Sequence, residues 1–161
     1  MRKFRLLTLL LMVYASVPLV FAQTNGSEKI SVIKPMVSTK SDVDRILGEG
    51  EQRGNSTWYK FSDISVEIIF SNGLCRDGWI TDKRKVVEIF ANFLEEKKLS
   101  ELRQLVDLTR LRKESSHDVV GERYYFDDER GIEYGVNEKQ GTWSTVRYFP
   151  PNHYKTLRCG K

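Results

Sequence analysis

The spacing of apolar and polar positions changes several times along the chain, and the first 22 residues stand apart from the rest. Arg2, Lys3 and Arg5 precede an apolar run from Leu6 to Phe21, broken only by Thr8, Ser16 and Pro18, which ends in Val20-Phe21-Ala22. A basic start, an apolar middle shorter than the about 20 residues that cross hydrocarbon, and suitable residues at −3 and −1 predict an export signal cleaved after Ala22. No cysteine sits at the cut, so no lipid anchor is expected, and no later stretch is apolar enough to span a bilayer. The polar stretch 23–31 reads as a flexible lead-in to one domain over 32–161.

A helical period follows. Val43, Ile46 and Leu47 fall at i, i+3 and i+4 between Ser38 or Thr39, either of which can cap the first turn, and Gly48, which suits a left-handed stop. The period then drops to two. Ser56 to Phe61, with Trp58 and Tyr59, and Ile64 to Phe70, with Val66, Ile68 and Phe70 on one face, predict a hairpin turning at Ser62-Asp63. Ser71-Asn72-Gly73 is a further turn signal. The stretch Val86 to Leu105 fits both periods. Val86, Val87, Ile89, Phe90, Phe93 and Leu94 share a helix face, whereas Val87, Ile89, Ala91 and Phe93 share a strand face. Periodicity alone favours helix, because Glu95 to Leu105 continues with helix-forming residues. Three strands close the chain, at Glu122 to Phe126, Ile132 to Val136 and Thr142 to Phe149.

The two halves echo each other. Tyr59-x-Phe61-x-Asp63 returns as Tyr124-x-Phe126-x-Asp128, Val66-Glu67 as Ile132-Glu133, and Val87-Glu88-Ile89-Phe90 as Val146-Arg147-Tyr148-Phe149. If the echo marks a repeat, Val87 to Phe93 is a strand, as its counterpart is. The expected fold class is then α+β: an antiparallel sheet of about six strands with short helices packed on one face. It divides into tandem helix-plus-three-strand units over 32–94 and 95–161.

Composition changes the picture in one respect. The chain carries 26 basic and 22 acidic residues, a net charge of +4. Three of the basic residues lie in the export signal, so the remaining 139 residues carry 23 against 22. A near-neutral domain offers no electrostatic case for nucleic acid. The two cysteines, Cys75 and Cys159, would meet an oxidising compartment, where one intramolecular disulfide is expected; free buried thiols or an intermolecular bridge are the alternatives.

Candidate chemistry is sparse. His117 and His153 are the two candidate general bases, each in a polar loop. Asp127-Asp128-Glu129 clusters carboxylates as a calcium site does, but lacks the further ligands of a dedicated loop and suits a hairpin turn. No metal or cofactor motif is present, and none is expected to bind. Trp79, beside Cys75 and just before Lys83, Arg84 and Lys85, is the candidate anchor of a binding surface.

Several of these residues also carry a resemblance. Ile33-x-Pro35-x-x-Ser38-Thr39-x-x-Asp42-Val43-x-x-x-Leu47-Gly48, Gly73-x-Cys75-x-x-Gly78-Trp79, Tyr125 with Gly131-Ile132-x-Tyr134, Tyr148-Phe149-Pro150 and Leu157-Arg158-Cys159 resemble a group of small uncharacterised exported proteins of acidobacterial type. The family pattern implies a strand at Val86 to Phe93 and a bacterial host. It brings no catalytic residues, and this chain departs from it in the charged stretch around Glu95 to Lys98. More distantly, a helix ending in Leu-Gly before an antiparallel sheet is similar to the small lipoprotein of the outer-membrane barrel-assembly machine and to the β-lactamase-inhibitor proteins. Both are binding modules, and the likeness is one of fold alone. The leading expectation is a periplasmic or secreted non-enzymatic protein that binds another exported protein. The alternatives are an exported hydrolase using His117 or His153, and a structural envelope domain without a specific partner.

Overall fold

The computed structural model describes residues 25–75, 78–116 and 120–160. The expected export signal over 1–22 and His117 lie outside the described residues. An antiparallel sheet carries three short helices. Its strands are β1 (Glu51–Arg53), β2 (Ser56–Lys60), β3 (Ile64–Phe70), β4 (Val86–Lys98), β5 (Arg112–Ser115), β6 (Glu122–Asp127), β7 (Ile132–Asn137) and β8 (Thr142–Tyr148). The helices are α1 (Gly26–Ile30), α2 (Lys40–Leu47) and α3 (Leu99–Leu105). The sheet therefore has eight strands rather than about six. Its order is β1-β2-β3-β4-β8-β7-β6-β5, so each half is a four-strand meander and the last strands of the two halves pair at the centre. The two additional strands, β1 and β5, are the edges, and every residue of both is exposed.

The ambiguous stretch is resolved by its position. β4 hydrogen-bonds to β3 on one side and β8 on the other, so its backbone groups are paired in the ladder rather than within a helix. Its alternate residues Ile89 and Ala91 are buried while Glu88 and Phe90 point to the opposite face. The helical reading holds only from Leu99, where α3 begins and the Leu99 N–H donates to the Gly141 carbonyl at 2.8 Å.

α2 starts as its sequence predicts. Thr39 caps it, with the Asp42 N–H donating to Thr39 Oγ1 at 3.2 Å and the Thr39 N–H donating to Asp42 Oδ2 at 3.0 Å. The described part of the stretch expected as a flexible lead-in is instead a packed element. The Gly26 N–H and Ser27 hydroxyl both donate to Asp63, each at 2.9 Å, and Ile30 is buried in the core. Gly26 sits so close to Phe61 that a Cβ there would lie 2.4 Å from the ring.

Two apolar clusters form the core. Ile30, Ile33, Val43 and Leu47 pack on β2–β4, and Leu99, Leu102 and Leu108 pack on β6–β8. Phe93 and Tyr148 touch both, so the clusters are continuous and all three helices cover the same face of the sheet. Cys75 and Cys159 form a disulfide that closes a separation of 84 residues and ties the β3–β4 connection to the C-terminal tail. Among the described residues no helix is long and apolar enough to cross a membrane.

Candidate functional site: the uncovered face of the sheet

In a strand, each residue beside a core residue points to the other side of the sheet. Here that side carries none of the three α-helices; the helical segment on it is the short 3₁₀ turn Asn152–Leu157 at one end. One transverse row of cross-strand partners runs over it from edge to edge: Glu51, Trp58, Glu67, Phe90, Arg147, Glu133, Phe126 and Arg112, one from each strand. Apart from the exposed ends, Glu51 and Arg112, these side chains are half-buried against one another.

Arg147 occupies the centre. It donates to Glu88 at 2.9 Å and to Glu133 at 3.0 Å, and its guanidinium lies 5.1 Å from the Phe90 ring centre and 5.9 Å from that of Phe149. Burial pushes the Glu133 carboxyl above its usual range, more than the neighbouring Arg147 charge pulls it down. Toward one edge, Arg112 stacks 4.0 Å from the Phe126 ring centre and holds both oxygens of Asp128, at 2.9 and 3.1 Å; it also pairs with Glu114. The hydrogen bond from Arg112 keeps the Asp128 carboxyl below its usual range. At the other edge Arg53 lies 5.2 Å from the Trp58 ring centre. Each of these arginines thus lies over an aromatic ring while a carboxylate holds its N–H groups, Glu51 in the case of Arg53, an arrangement that fixes long side chains.

The disulfide-tied segments close over one end of this face. The Ile80 N–H donates to the Leu157 carbonyl at 2.7 Å, the Cys159 N–H donates to the Gly78 carbonyl at 3.0 Å, and Trp79 and Arg158 form a β-bridge. The Arg158 guanidinium lies 5.5 Å from the Trp79 ring centre. Beneath them is a cleft of about 290 Å³, whose walls include Trp79, Phe126, Phe149, Arg147, Lys155 and Arg158.

Among the candidate site residues singled out from sequence, Trp79 and Asp128 belong to this cleft. Lys83 and Arg84 line a different one, with Lys40 and Asp44 of α2. Lys85 Nζ donates to the Val37 carbonyl at 2.9 Å, so the basic run and Trp79 are not brought together. His153 is exposed and packs on the Tyr154 ring at 4.3 Å between ring centres, with no acidic or hydroxyl hydrogen-bond partner among the described residues. Asp127-Asp128-Glu129 is the start of the β6–β7 turn. Its carboxylates are engaged by Arg130, Arg112 and Asn152 respectively, and no group of three or more metal-ligating side chains occurs among the described residues. Of the three tryptophans only Trp143 is core; it meets Phe93 edge-on at 5.0 Å.

The central residues Phe90, Arg147, Glu133 and Phe126 were not singled out from sequence as a site. Their signal was present in the echoed segments, because Glu88-Ile89-Phe90 and Arg147-Tyr148 lie on the two adjacent central strands. No protein-family model, curated protein or solved structure matches the chain, so the site is defined by its own geometry.

Proposed function

We propose that this is an exported, non-enzymatic binding module whose sheet face opposite the three α-helices docks onto another protein. The observation that carries the reading is the edge-to-edge row of arginines, aromatics and glutamates on the face that none of the three α-helices covers. Trp, Tyr and Arg dominate interface hot spots, the aromatics because they bury large areas with few rotatable bonds and Arg because its planar fork pairs with carboxylates. Eight strands at about 4.8 Å spacing make a row of roughly 34 Å, a span suited to a standard interface of about 800 Å² per partner. Salt bridges and ring stacking already fix the side chains, which lowers the ordering cost of association. The alternation of sign along the row favours a protein with its own mixed charges over a uniform polyanion.

Export rests on the basic and apolar N-terminal pattern, and the disulfide fits the same compartment. We also read the two four-strand halves, each preceded by a helix, as a tandem repeat whose shared axis falls at the β4–β8 junction.

A photo-crosslinking residue placed in turn at Trp58, Phe90 and Phe126, and at Lys29 and Asp44 on the helix side, tests the reading in the native envelope and culture fluid. The expected result is one crosslinked polypeptide from the three sheet positions and none from the two helix positions. Crosslinks of equal yield from both sides, or none from the sheet, would contradict it.

A further inference from the structure

We propose that the cleft under the disulfide-tied tail takes a carboxylate side chain, an aspartate or glutamate of the docked protein, between Lys155 and Arg158. This rests on the docking role proposed for the sheet face and names the chemistry of its anchor.

The charge inventory of the cleft is uneven. Its walls hold four cations, Arg112, Arg147, Lys155 and Arg158, and two carboxylates, Glu88 and Asp128. Arg112 is engaged by Asp128 and by Glu114 beside it, and Arg147 by Glu88 and Glu133. Among the described residues Lys155 and Arg158 have no carboxylate within ion-pair distance. Among the described residues, the cleft cations without an ion-pair partner are therefore the two of the tail, Lys155 and Arg158, with the Lys155 charge reaching Asp128 at longer range.

That charge is held in place. Stacking on Trp79 orients the Arg158 guanidinium without using its N–H groups. Trp79 is fixed in turn by its β-bridge to Arg158 and by the disulfide between Cys75 and Cys159. The Phe126 and Phe149 rings form apolar walls, and in such surroundings a charge pair is stronger than in open water. The two tail cations suit a single carboxylate. A phosphate backbone would have to continue along the row past Glu133, Glu67 and Glu51, which disfavours a nucleic acid as occupant.

The probe is an acetylated and amidated hexapeptide, Gly-Phe-Glu-Glu-Phe-Gly, with its Gln-for-Glu counterpart and inorganic phosphate as comparators. The readout is the Trp79 indole N–H resonance in two-dimensional NMR. The Glu peptide is expected to shift it saturably, with a dissociation constant at least ten-fold lower than that of the Gln peptide. Arg158→Gln and Lys155→Gln, both in an exposed tail, should each weaken that binding several-fold while leaving the other amide resonances in place; Lys83→Gln should not. Reduction of the disulfide should weaken it as well. Equal binding of the two peptides, unchanged binding by both tail variants, or equally strong shifts with inorganic phosphate would overturn the proposal. Peptide discrimination without sheet-face crosslinks would leave the carboxylate site and remove protein docking. Crosslinks without discrimination would do the reverse.

Discussion

Asp63 shows how one carboxylate can attach a whole element. It accepts from the Gly26 N–H, the Ser27 N–H and the Ser27 hydroxyl, and so fixes the start of α1 on the β2–β3 hairpin. Burial alone would raise its pKa, but the hydrogen bonds from Ser27 and Gly26 outweigh this and hold the carboxyl below its ordinary value of 3.8. A depressed folded-state pKa contributes stability that is present above the ordinary value and is lost as pH falls through the folded one. The α1 amides should therefore lose hydrogen-exchange protection as pH drops below about 4, the ordinary aspartate range, and Asp63→Asn should remove that pH dependence. Unchanged protection in wild type down to pH 2 would contradict this role. Glu133 has the opposite sign. Its raised pKa favours the protonated form in the fold, so its contribution is present at low pH and is lost as pH rises through the raised value.

At the scale of elements, the helix cap and the hairpin strands were legible because short-range chemistry decides them. Thr39 and Asp42 are three residues apart, and Val66, Ile68 and Phe70 alternate. The edge strands β1 and β5 were not legible. Glu51–Arg53 and Arg112–Ser115 contain no apolar residue, and charge at a sheet edge discourages pairing with other chains without announcing a strand. β4 was ambiguous for a different reason. Phe90 is apolar yet belongs to the uncovered face, so it falsely completes a helical stripe with Val86, Phe93 and Leu94. Gly131 supplies a testable junction. It has φ +68°, its carbonyl accepts from the Phe149 N–H at 2.8 Å, and a Cβ there would lie 2.0 Å from the Phe149 carbonyl oxygen. Gly131→Ala should lower stability by about 1–3 kcal/mol, the range for a strained backbone position, and displace the segment leading to the tail. Thermal denaturation reads the first effect and weaker Glu-peptide binding the second; an unchanged melting temperature would contradict the close approach seen here.

For the molecule as a whole, the sequence pointed to α+β architecture and to the pairing of Cys75 with Cys159, and both are found. The candidate site was only partly legible. Trp79 lies at the end of the uncovered face, but its partner is Arg158, 79 residues away, rather than the nearby run of Lys83, Arg84 and Lys85. Linear proximity brought those residues together on paper, whereas the disulfide and the β4–β8 pairing decide which charges share a cleft. The row across the sheet depends on a strand order that no local pattern encodes, because β8 must insert beside β4. The central claim is that this row binds a protein. Its most direct test is the affinity of the crosslinked partner for Phe90→Ala and Phe126→Ala, against Lys29→Ala and Asp44→Ala as helix-side controls. Each sheet-face substitution is expected to weaken binding at least ten-fold, about 1.4 kcal/mol, while the controls bind as wild type does. Full affinity in both sheet-face variants, with folding intact, would contradict it.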